Sequence, residues 1–163
     1  MTIKQYYTHD QMKNDLVELT RQMSADGFRP DVIIGPGRGA YIPGVMLSHF
    51  YDVPFEGFTW QSRDGSEEDR GTLSKILDRH LRGDMTNMLI IDDINDTGKT
   101  LSDIMGYVGT VSTLVLGQSS IKTATLFSKE SSPVNVDYVA REILPNGDRV
   151  WVSFPYEEWW NPR

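Results

Sequence analysis

The chain has 163 residues, of which 39% are hydrophobic and 24% charged, as expected for one soluble globular domain with a substantial core. Its 16 lysine and arginine residues against 23 aspartate and glutamate residues give a formal net charge of -7, so no basic nucleic-acid-binding surface is expected. It has no cysteine, which excludes disulfides and thiolate metal sites. It also lacks a signal-peptide pattern and any apolar run of about 18 residues, so we expect a cytoplasmic protein without membrane contact.

The N-terminal part of the chain predicts a helix, a strand and a second helix. Thr8 to Gln11 fits a capping box, and apolar residues then recur at helical spacing, which predicts a first helix over about 9–24. The apolar run 32–34 predicts a short strand. In the helix that follows the next loop, four apolar residues are expected to face the core: Ile42, Val45, Met46 and Phe50.

The loop between that strand and the second helix reads Gly35-Pro36-Gly37-Arg38-Gly39-Ala40. Its glycines allow close approach of the backbone to a ligand, and the arginine indicates that the ligand is anionic. The same residues fit a dinucleotide-binding fingerprint, with Ala40 in its last position. That match is weak, because the motif is short, Asp52 comes early for the ribose-binding acid, and the chain is small for a full dinucleotide fold.

The middle of the chain predicts a strand, a polar segment and a short helix. The strand covers 53–61 and is rich in aromatic residues. Segment 62–71 is polar throughout and contains two glycines, so it is the best candidate for a mobile loop. The short helix is expected to bury Leu73, Ile76, Leu77 and Leu81.

The most informative stretch is 88–101, which reads MLIIDDINDTGKTL. Its four apolar residues lack alternation, which is typical of a strand covered on both faces in a parallel sheet. Asp92, Asp93 and Asp96 follow within five positions. Three carboxylates so close repel one another, and a bound cation or ligand hydroxyls would relieve that repulsion.

Residues 97–100, Thr-Gly-Lys-Thr, offer hydroxyls and backbone N–H groups at the start of a predicted helix, which is a favourable place for a phosphate. A P-loop ending at this turn would require glycine at position 93, where the chain has aspartate. The P-loop interpretation therefore fails.

The C-terminal half continues the alternation of helices and strands. A helix begins near Lys99, and the pattern of segment 110–117 is compatible with either a helix or an extended structure. Strands are predicted over 121–127, 134–141 and 149–154. This order of elements favours an α/β fold in which a mostly parallel central sheet is flanked by helices, within a single domain over 1–163.

The stretch 89–100 resembles the phosphoribosyl pyrophosphate signature of the type I phosphoribosyltransferases: four apolar residues, two acids, two mostly apolar positions, an acid, and Thr-Gly-x-Thr. Asn95 departs from it at a position where an apolar residue is more usual. Three further blocks resemble the 6-oxopurine enzymes of bacteria and archaea. They are the pyrophosphate loop within 32–44, the strand end Phe127-Ser128-Lys129, and the hood segment 150–157.

This resemblance implies an enzyme that transfers ribose 5-phosphate from phosphoribosyl pyrophosphate to guanine, xanthine or hypoxanthine and requires Mg²⁺. It implies a small hood formed by about 141–163 and a homo-oligomer, dimer or tetramer, for which Trp159 and Trp160 are candidate interface residues. Two alternatives stay open: transfer to another base, and a non-catalytic regulator that senses phosphoribosyl pyrophosphate or nucleotides.

The resemblance also assigns donor-site residues. The ribose and 5′-phosphate would contact Asp92, Asp93, Asp96, Thr97, Gly98, Lys99 and Thr100. The pyrophosphate would contact Gly37, Arg38, Gly39 and, from the mobile loop, Arg70, for which Arg63 is a competitor. The simpler alternative is that the three acids belong to a turn and helix start, and that the arginines are solvated.

On the acceptor side, the resemblance makes Asp96 the candidate catalytic acid/base at the purine imidazole. Lys129 would donate to the exocyclic oxygen, Trp151 would stack on the ring, and the Val152 backbone would lie at the base edge. Asp93 and Glu157 are the candidate metal ligands. The simpler alternative is that Lys129 is an exposed lysine at a strand end and Trp151 a core aromatic residue.

Overall fold

The computed structural model describes residues 3–61, 67–80, 87–115, 120–144 and 150–160. In chain order its elements are β1 (Ile3–Tyr6), α1 (His9–Ala25), β2 (Val32–Gly37), α2 (Tyr41–Tyr51), β3 (Phe55–Gln61), β4 (Glu67–Glu68), α3 (Arg70–His80), β5 (Asn87–Asn95), α4 (Lys99–Val115), β6 (Ser120–Lys129), β7 (Tyr138–Ile143) and β8 (Val150–Ser153).

Six of the strands form a central sheet in the order β4-β3-β2-β5-β6-β7. All neighbouring pairs are parallel except β3 and β4, which are antiparallel. The predicted α/β fold with a mostly parallel sheet is therefore confirmed. The chain runs outward from β2 to β3 on one side and from β5 through β6 to β7 on the other, so the order reverses between β2 and β5.

The central strands are buried on both faces, as the apolar run in β5 predicts. Leu89 and Ile91 pack into a core shared with α1 and α2, whereas Met88 and Ile90 pack into a second core shared with α3 and α4. All four side chains are fully buried. Successive side chains of β5 thus point alternately into the two cores, and each core packs a pair of helices against one face of the sheet.

The first helix begins as its capping box predicts. The Thr8 side chain accepts from the backbone N–H of Gln11, whose side-chain oxygen accepts from the backbone N–H of Thr8. This exchange satisfies two N–H groups that have no partner within the helix.

The N-terminal strand β1 was not expected from the sequence. It pairs in parallel with β8 to form a separate two-stranded sheet, so the predicted hood strand lies beside Ile3–Tyr6. Residues 141–143, which were expected in the hood, belong instead to strand β7 of the central sheet.

The predicted orientation of α2 is wrong. Ile42, Val45, Met46 and Phe50 are exposed, and the buried face consists of Pro43, Gly44, Leu47 and Tyr51. The reason lies at Gly44, where a Cβ atom would come within 2.2 Å of the Phe55 ring. Because a small residue is needed for this close approach, the helix turns the face that contains Gly44 toward the sheet, and the predicted apolar face turns outward.

Three further segments differ from the prediction or complete it. The last part of the predicted mobile loop is structured, since β4 is followed by α3 from Arg70. Segment 110–117, for which the sequence did not decide between helix and extended structure, is helical as far as Val115. Residues 134–137 are not a strand, because their polar groups bond to side chains outside any ladder: Asn95 donates to the Val134 carbonyl and Asp137 accepts from Thr123.

Some expectations concern residues outside the described ranges: the mobile loop over 62–66 with Arg63, Leu81, residues 116–117, Arg149, and the remainder of the predicted hood at 145–149 and 161–163. Within the described residues, no helix has the length and apolar content needed to cross a bilayer.

Candidate active site

The carboxyl ends of β2 and β5 meet where the strand order of the sheet reverses, which is the usual ligand position in an open parallel sheet. A cavity of about 1130 Å³ opens there. Its walls come from the glycine-rich loop, the acidic stretch, the end of β6 and the C-terminal segment. The lining residues are Pro36–Gly39, Trp60, Asp92–Leu101, Lys129, Val150–Val152, Phe154, Tyr156–Glu158 and Trp160.

Asp96 and Lys129 form an ion pair inside this cavity. Asp96 directly follows strand β5, and Lys129 is the last residue of the neighbouring strand β6. The distance from Lys129 Nζ to Asp96 Oδ1 is 2.6 Å. The Lys129 side chain is only 14% exposed, so it is not the ordinary solvated lysine that a strand end would suggest. A donor and an acceptor of hydrogen bonds thus lie side by side on one wall.

Asp92 and Asp93 form the adjoining wall. Asp92 is buried, and one of its oxygens accepts from the backbone N–H of Asp93 at 2.9 Å. Asp93 lies against Gly39 so closely that a Cβ atom on this glycine would come within 2.2 Å of its Oδ2. The acidic stretch and the glycine-rich loop are therefore in direct contact, as their joint assignment to one ligand requires.

Tyr156 connects the C-terminal segment to both of these loops, and the sequence did not single it out. Its hydroxyl lies 2.9 Å from Asp93 Oδ2 and 3.3 Å from the Gly39 carbonyl oxygen. Burial, and then the negative charge of Asp93, raise the pKa of Tyr156 well above its usual range, so the hydroxyl stays protonated and donates. Only its place beside Glu157 in the hood segment could have suggested it.

The turn at residues 96–98 lines the cavity and leads into α4. Gly98 has a φ of +78°, and a Cβ atom there would come within 2.7 Å of Ser132 and Val134, so only glycine fits. The first helical residue, Lys99, places its ammonium 2.6 Å from Asp103 one turn later. The turn therefore offers an anion mainly its hydroxyls and backbone N–H groups.

Asn95, the departure from the usual motif, is buried and holds this turn against β6 and the following loop. Its amide donates at 3.0 Å to Ser128 and at 3.0 Å to the Val134 carbonyl, and its oxygen accepts from Ser132 at 3.1 Å. Asn95 is thus held by three hydrogen bonds at a position where the usual motif has an apolar side chain.

Asn95→Ala is expected to lower the free energy of unfolding by about 2 kcal/mol, because it leaves buried polar groups without their partner. Urea denaturation followed by circular dichroism measures this. The control Asn14→Ala, on the exposed face of α1, should change stability by less than about 0.5 kcal/mol. Equal stability of the two variants would contradict the role given to Asn95.

Arg38 faces the cavity from the glycine-rich loop, between Gly37 and Gly39, and the Gly37–Arg38 peptide bond is cis. The Arg38 side chain forms no ion pair within the described part of the chain. It is therefore a suitable cation for a bound anion.

Arg70 is not among the residues that line the cavity. It begins α3, where its guanidinium lies 2.6 Å from Glu68 and over the ring of Tyr107. Any contact with pyrophosphate would require this pair to separate, so its predicted role stays a prediction.

The hood residues contribute to the cavity in different ways. Trp151 is half-exposed on β8, whereas Val152 on the same strand is buried. Glu157 accepts a hydrogen bond from the backbone N–H of Phe154 at 3.1 Å. Trp160, considered above as an interface residue, lines the cavity together with Trp151.

The family model for the phosphoribosyl transferase domain matches residues 2–159 of this chain. The chain belongs to this phosphoribosyltransferase family. It is 27% identical over 154 residues to the xanthine-guanine phosphoribosyltransferase of Cereibacter sphaeroides, an alignment that covers 91% of this chain and 83% of that protein.

Solved structures agree with this assignment. The purine phosphoribosyltransferase from Pyrococcus horikoshii is 29% identical, with a TM-score of 0.70 and coverage of 98% of this chain and 97% of that one. The Helicobacter pylori xanthine-guanine-hypoxanthine enzyme shares the fold, with a TM-score of 0.71, 19% identity and coverage of 96% and 95%. The type I family predicted from the acidic stretch is thus confirmed, and the cavity of this chain lies at that stretch.

Proposed function

We propose that this phosphoribosyltransferase transfers ribose 5-phosphate from phosphoribosyl pyrophosphate to a 6-oxopurine, with Mg²⁺, and releases pyrophosphate. The observation that carries the proposal is the ion pair of Asp96 and Lys129 in the cavity. The names of the relatives from Cereibacter sphaeroides and Pyrococcus horikoshii support a purine acceptor.

The Asp96–Lys129 pair matches one edge of a 6-oxopurine. A lysine ammonium can only donate, so Lys129 suits the exocyclic 6-oxygen and does not suit the 6-amino group of adenine. Asp96, 2.6 Å away, then suits the neighbouring imidazole nitrogen N7 when that nitrogen carries a proton. Trp151, half-exposed at the cavity, offers its ring for stacking.

In the transfer step, purine N9 forms a bond to the ribose anomeric carbon while the bond from that carbon to pyrophosphate breaks. The electron pair of the broken bond leaves with pyrophosphate, and the N7 proton passes to the Asp96 carboxylate. Positive charge develops on the ribose in the transition state. Asp92 and Asp93 beside the sugar would stabilise it, and Arg38 would stabilise the departing anion.

The donor-site residues fit Mg²⁺ bound jointly with the substrate. Within the described ranges, no three acidic or histidine side chains are grouped as a complete metal site. Mg²⁺ commonly takes one or two carboxylates and completes its shell with phosphate oxygens and water. Asp93, with Glu157 in the same cavity, supplies such oxygens, and the ion would neutralise charge on the pyrophosphate.

The test is product formation with phosphoribosyl pyrophosphate, Mg²⁺ and one base at a time: guanine, xanthine, hypoxanthine, adenine, uracil or orotate. Nucleotide is expected with at least one 6-oxopurine and not with adenine. Product only from adenine or a pyrimidine would assign the enzyme to another acceptor. No product with any base, together with retained donor binding by calorimetry, would support a sensor of phosphoribosyl pyrophosphate.

Tyr156→Phe should raise the KM for phosphoribosyl pyrophosphate by about tenfold while kcat changes less. The variant removes only the hydroxyl that orients Asp93, and a hydrogen bond to a charged group contributes about 1.5–3 kcal/mol. Steady-state kinetics at saturating purine measures both constants.

The matched control for Tyr156 is Tyr138→Phe. Tyr138, which is buried, likewise donates to a carboxylate, Asp26, at 2.6 Å, but it is not in the cavity lining. Its variant should lose stability without any change in the donor KM. If both variants leave that KM unchanged, Tyr156 does not position Asp93 for the donor.

A further inference from the structure

Glu158 is an acidic residue of the cavity for which the proposed reaction has no task. Among the described residues, five carboxylates line the cavity. The proposed reaction uses four of them, Asp92, Asp93, Asp96 and Glu157, and Glu158 is the fifth. The Glu158 side chain is 47% exposed, so it is accessible to a ligand that enters the cavity.

The backbone holds Glu158 in an uncommon conformation. Its φ is 48°, in the left-handed region that a glutamate rarely adopts. The other described non-glycine residue with a positive φ is Asp52, which ends α2, where a left-handed residue is usual. Glu158 lies in the turns after β8 and ends no helix. Such conformations persist where the surrounding structure fixes them, and they are concentrated at ligand sites.

Lys4 fixes the Glu158 carboxylate from the N-terminal strand. Lys4 Nζ lies 2.5 Å from Glu158 Oε2. Lys4 on β1 is the direct partner of Trp151 on β8, so these two side chains lie on the same face of the two-stranded sheet. The carboxylate is thereby tied to the strand pair that carries the proposed stacking ring, whereas Lys129 and Asp96 reach the cavity from the central sheet.

Given the proposed transfer to a 6-oxopurine, on which this inference rests, we propose that Glu158 determines which 6-oxopurine is preferred. A purine with its 6-oxygen at Lys129 and N7 at Asp96 directs these atoms toward the central sheet. Its C2 position lies across the six-membered ring from the N7 side, and N1 lies between C2 and C6. These atoms therefore face the C-terminal segment, where Glu158 lines the cavity.

The three 6-oxopurines differ at C2, and a carboxylate distinguishes them. Guanine presents two donors, N1–H and the 2-amino group, to an ionised glutamate, which only accepts. Hypoxanthine presents N1–H alone, and the 2-oxygen of xanthine is an acceptor that the carboxylate repels. Because a carboxylate can accept about four hydrogen bonds, the pair with Lys4 is compatible with both bonds from guanine. The expected order of kcat/KM is guanine, hypoxanthine, xanthine.

Glu158→Gln tests this order, with kcat/KM measured for guanine, hypoxanthine and xanthine at saturating phosphoribosyl pyrophosphate. A glutamine amide donates as well as accepts, so it can pair with N1–H and the 2-oxygen of xanthine. The ratio of xanthine to guanine kcat/KM should rise by about tenfold or more. The matched control is Glu18→Gln, since Glu18 is also a glutamate in an ion pair, 2.7 Å from Arg21, but outside the cavity lining. It should leave the ratio unchanged.

Glu158→Ala separates base selection from a structural role. Alanine removes both the attraction for guanine and the repulsion of xanthine, so its ratio should lie between those of the unmodified enzyme and Glu158→Gln. If the ion pair with Lys4 only joined the two ends of the chain, both variants would change kcat/KM for the three bases by the same factor. Far-ultraviolet circular dichroism establishes that each variant is folded.

The outcomes distinguish this inference from the function on which it rests. Preference of the unmodified enzyme for xanthine over guanine, or an unchanged ratio in both Glu158 variants, would overturn the role of Glu158 and leave 6-oxopurine transfer standing. No nucleotide from any of the three bases with the unmodified chain would overturn both.

Discussion

Asp96→Asn is expected to lower kcat by about 10²-fold or more and to leave the KM for phosphoribosyl pyrophosphate largely unchanged. The amide keeps the size of the side chain and can still accept a hydrogen bond from Lys129, which lies 2.6 Å from the present carboxylate. It cannot take a proton from the purine. The loss should therefore fall on the chemical step, and steady-state kinetics with a saturating 6-oxopurine measures it.

Asp52→Asn is the matched control for this variant. Asp52 caps the end of α2 with a φ of 55°, a left-handed conformation that asparagine also adopts readily, and it is outside the cavity lining. Its kcat should equal that of the unmodified enzyme. An unchanged kcat for Asp96→Asn would remove Asp96 from proton transfer and leave it a role in positioning the base beside Lys129.

The central sheet could be predicted from the sequence because its signals are local. The apolar run at 88–91 has no alternation, and the structure buries it on both faces. The capping box at Thr8 and Gln11 marks the start of α1 within one residue. In both cases the residues that determine the structure are neighbours in the chain.

The outward turn of α2 and the strand β1 could not be predicted because distant residues decide them. Hydrophobicity alone directs Ile42 and Phe50 inward, but the fit of the Phe55 ring against Gly44 turns the helix the other way. The short polar segment Ile3–Tyr6 becomes a strand only because β8 provides a parallel partner almost 150 residues later.

The candidate site also contains residues that the sequence could predict and residues that it could not. The acids, the glycine-rich loop and Lys129 carry motifs that the sequence displays, and the cavity brings them together. Tyr156 carries no motif of its own, and its significance depends on a hydroxyl that reaches Asp93, 63 positions earlier. Asn95 occupies a motif position where an apolar residue is more usual. Its hydrogen bonds with Ser128 and Ser132 explain why a polar residue is accommodated there.

Gly39→Ala is expected to reduce kcat/KM for phosphoribosyl pyrophosphate by about 10²-fold, the loss that a displacement of roughly 1 Å can cause in a site. The added Cβ atom would come within 2.2 Å of Asp93 Oδ2 and 2.4 Å of its Cγ. The Tyr156 hydroxyl holds the same oxygen, so the carboxylate cannot swing aside without losing that bond. Either Asp93 or the loop that carries Arg38 must move.

The same change at Gly106 provides the control for Gly39→Ala. Gly106 lies within α4, and an added Cβ atom there would have no neighbour within 4 Å beyond the helix itself. Gly106→Ala should leave kcat/KM unchanged and raise the free energy of unfolding by about 0.5–1 kcal/mol, since alanine favours a helix over glycine. If Gly39→Ala also retained full kcat/KM, the contact between Asp93 and the glycine-rich loop would be dispensable. The donor would then have to be held by the acidic stretch and α4 without a fixed distance to Arg38.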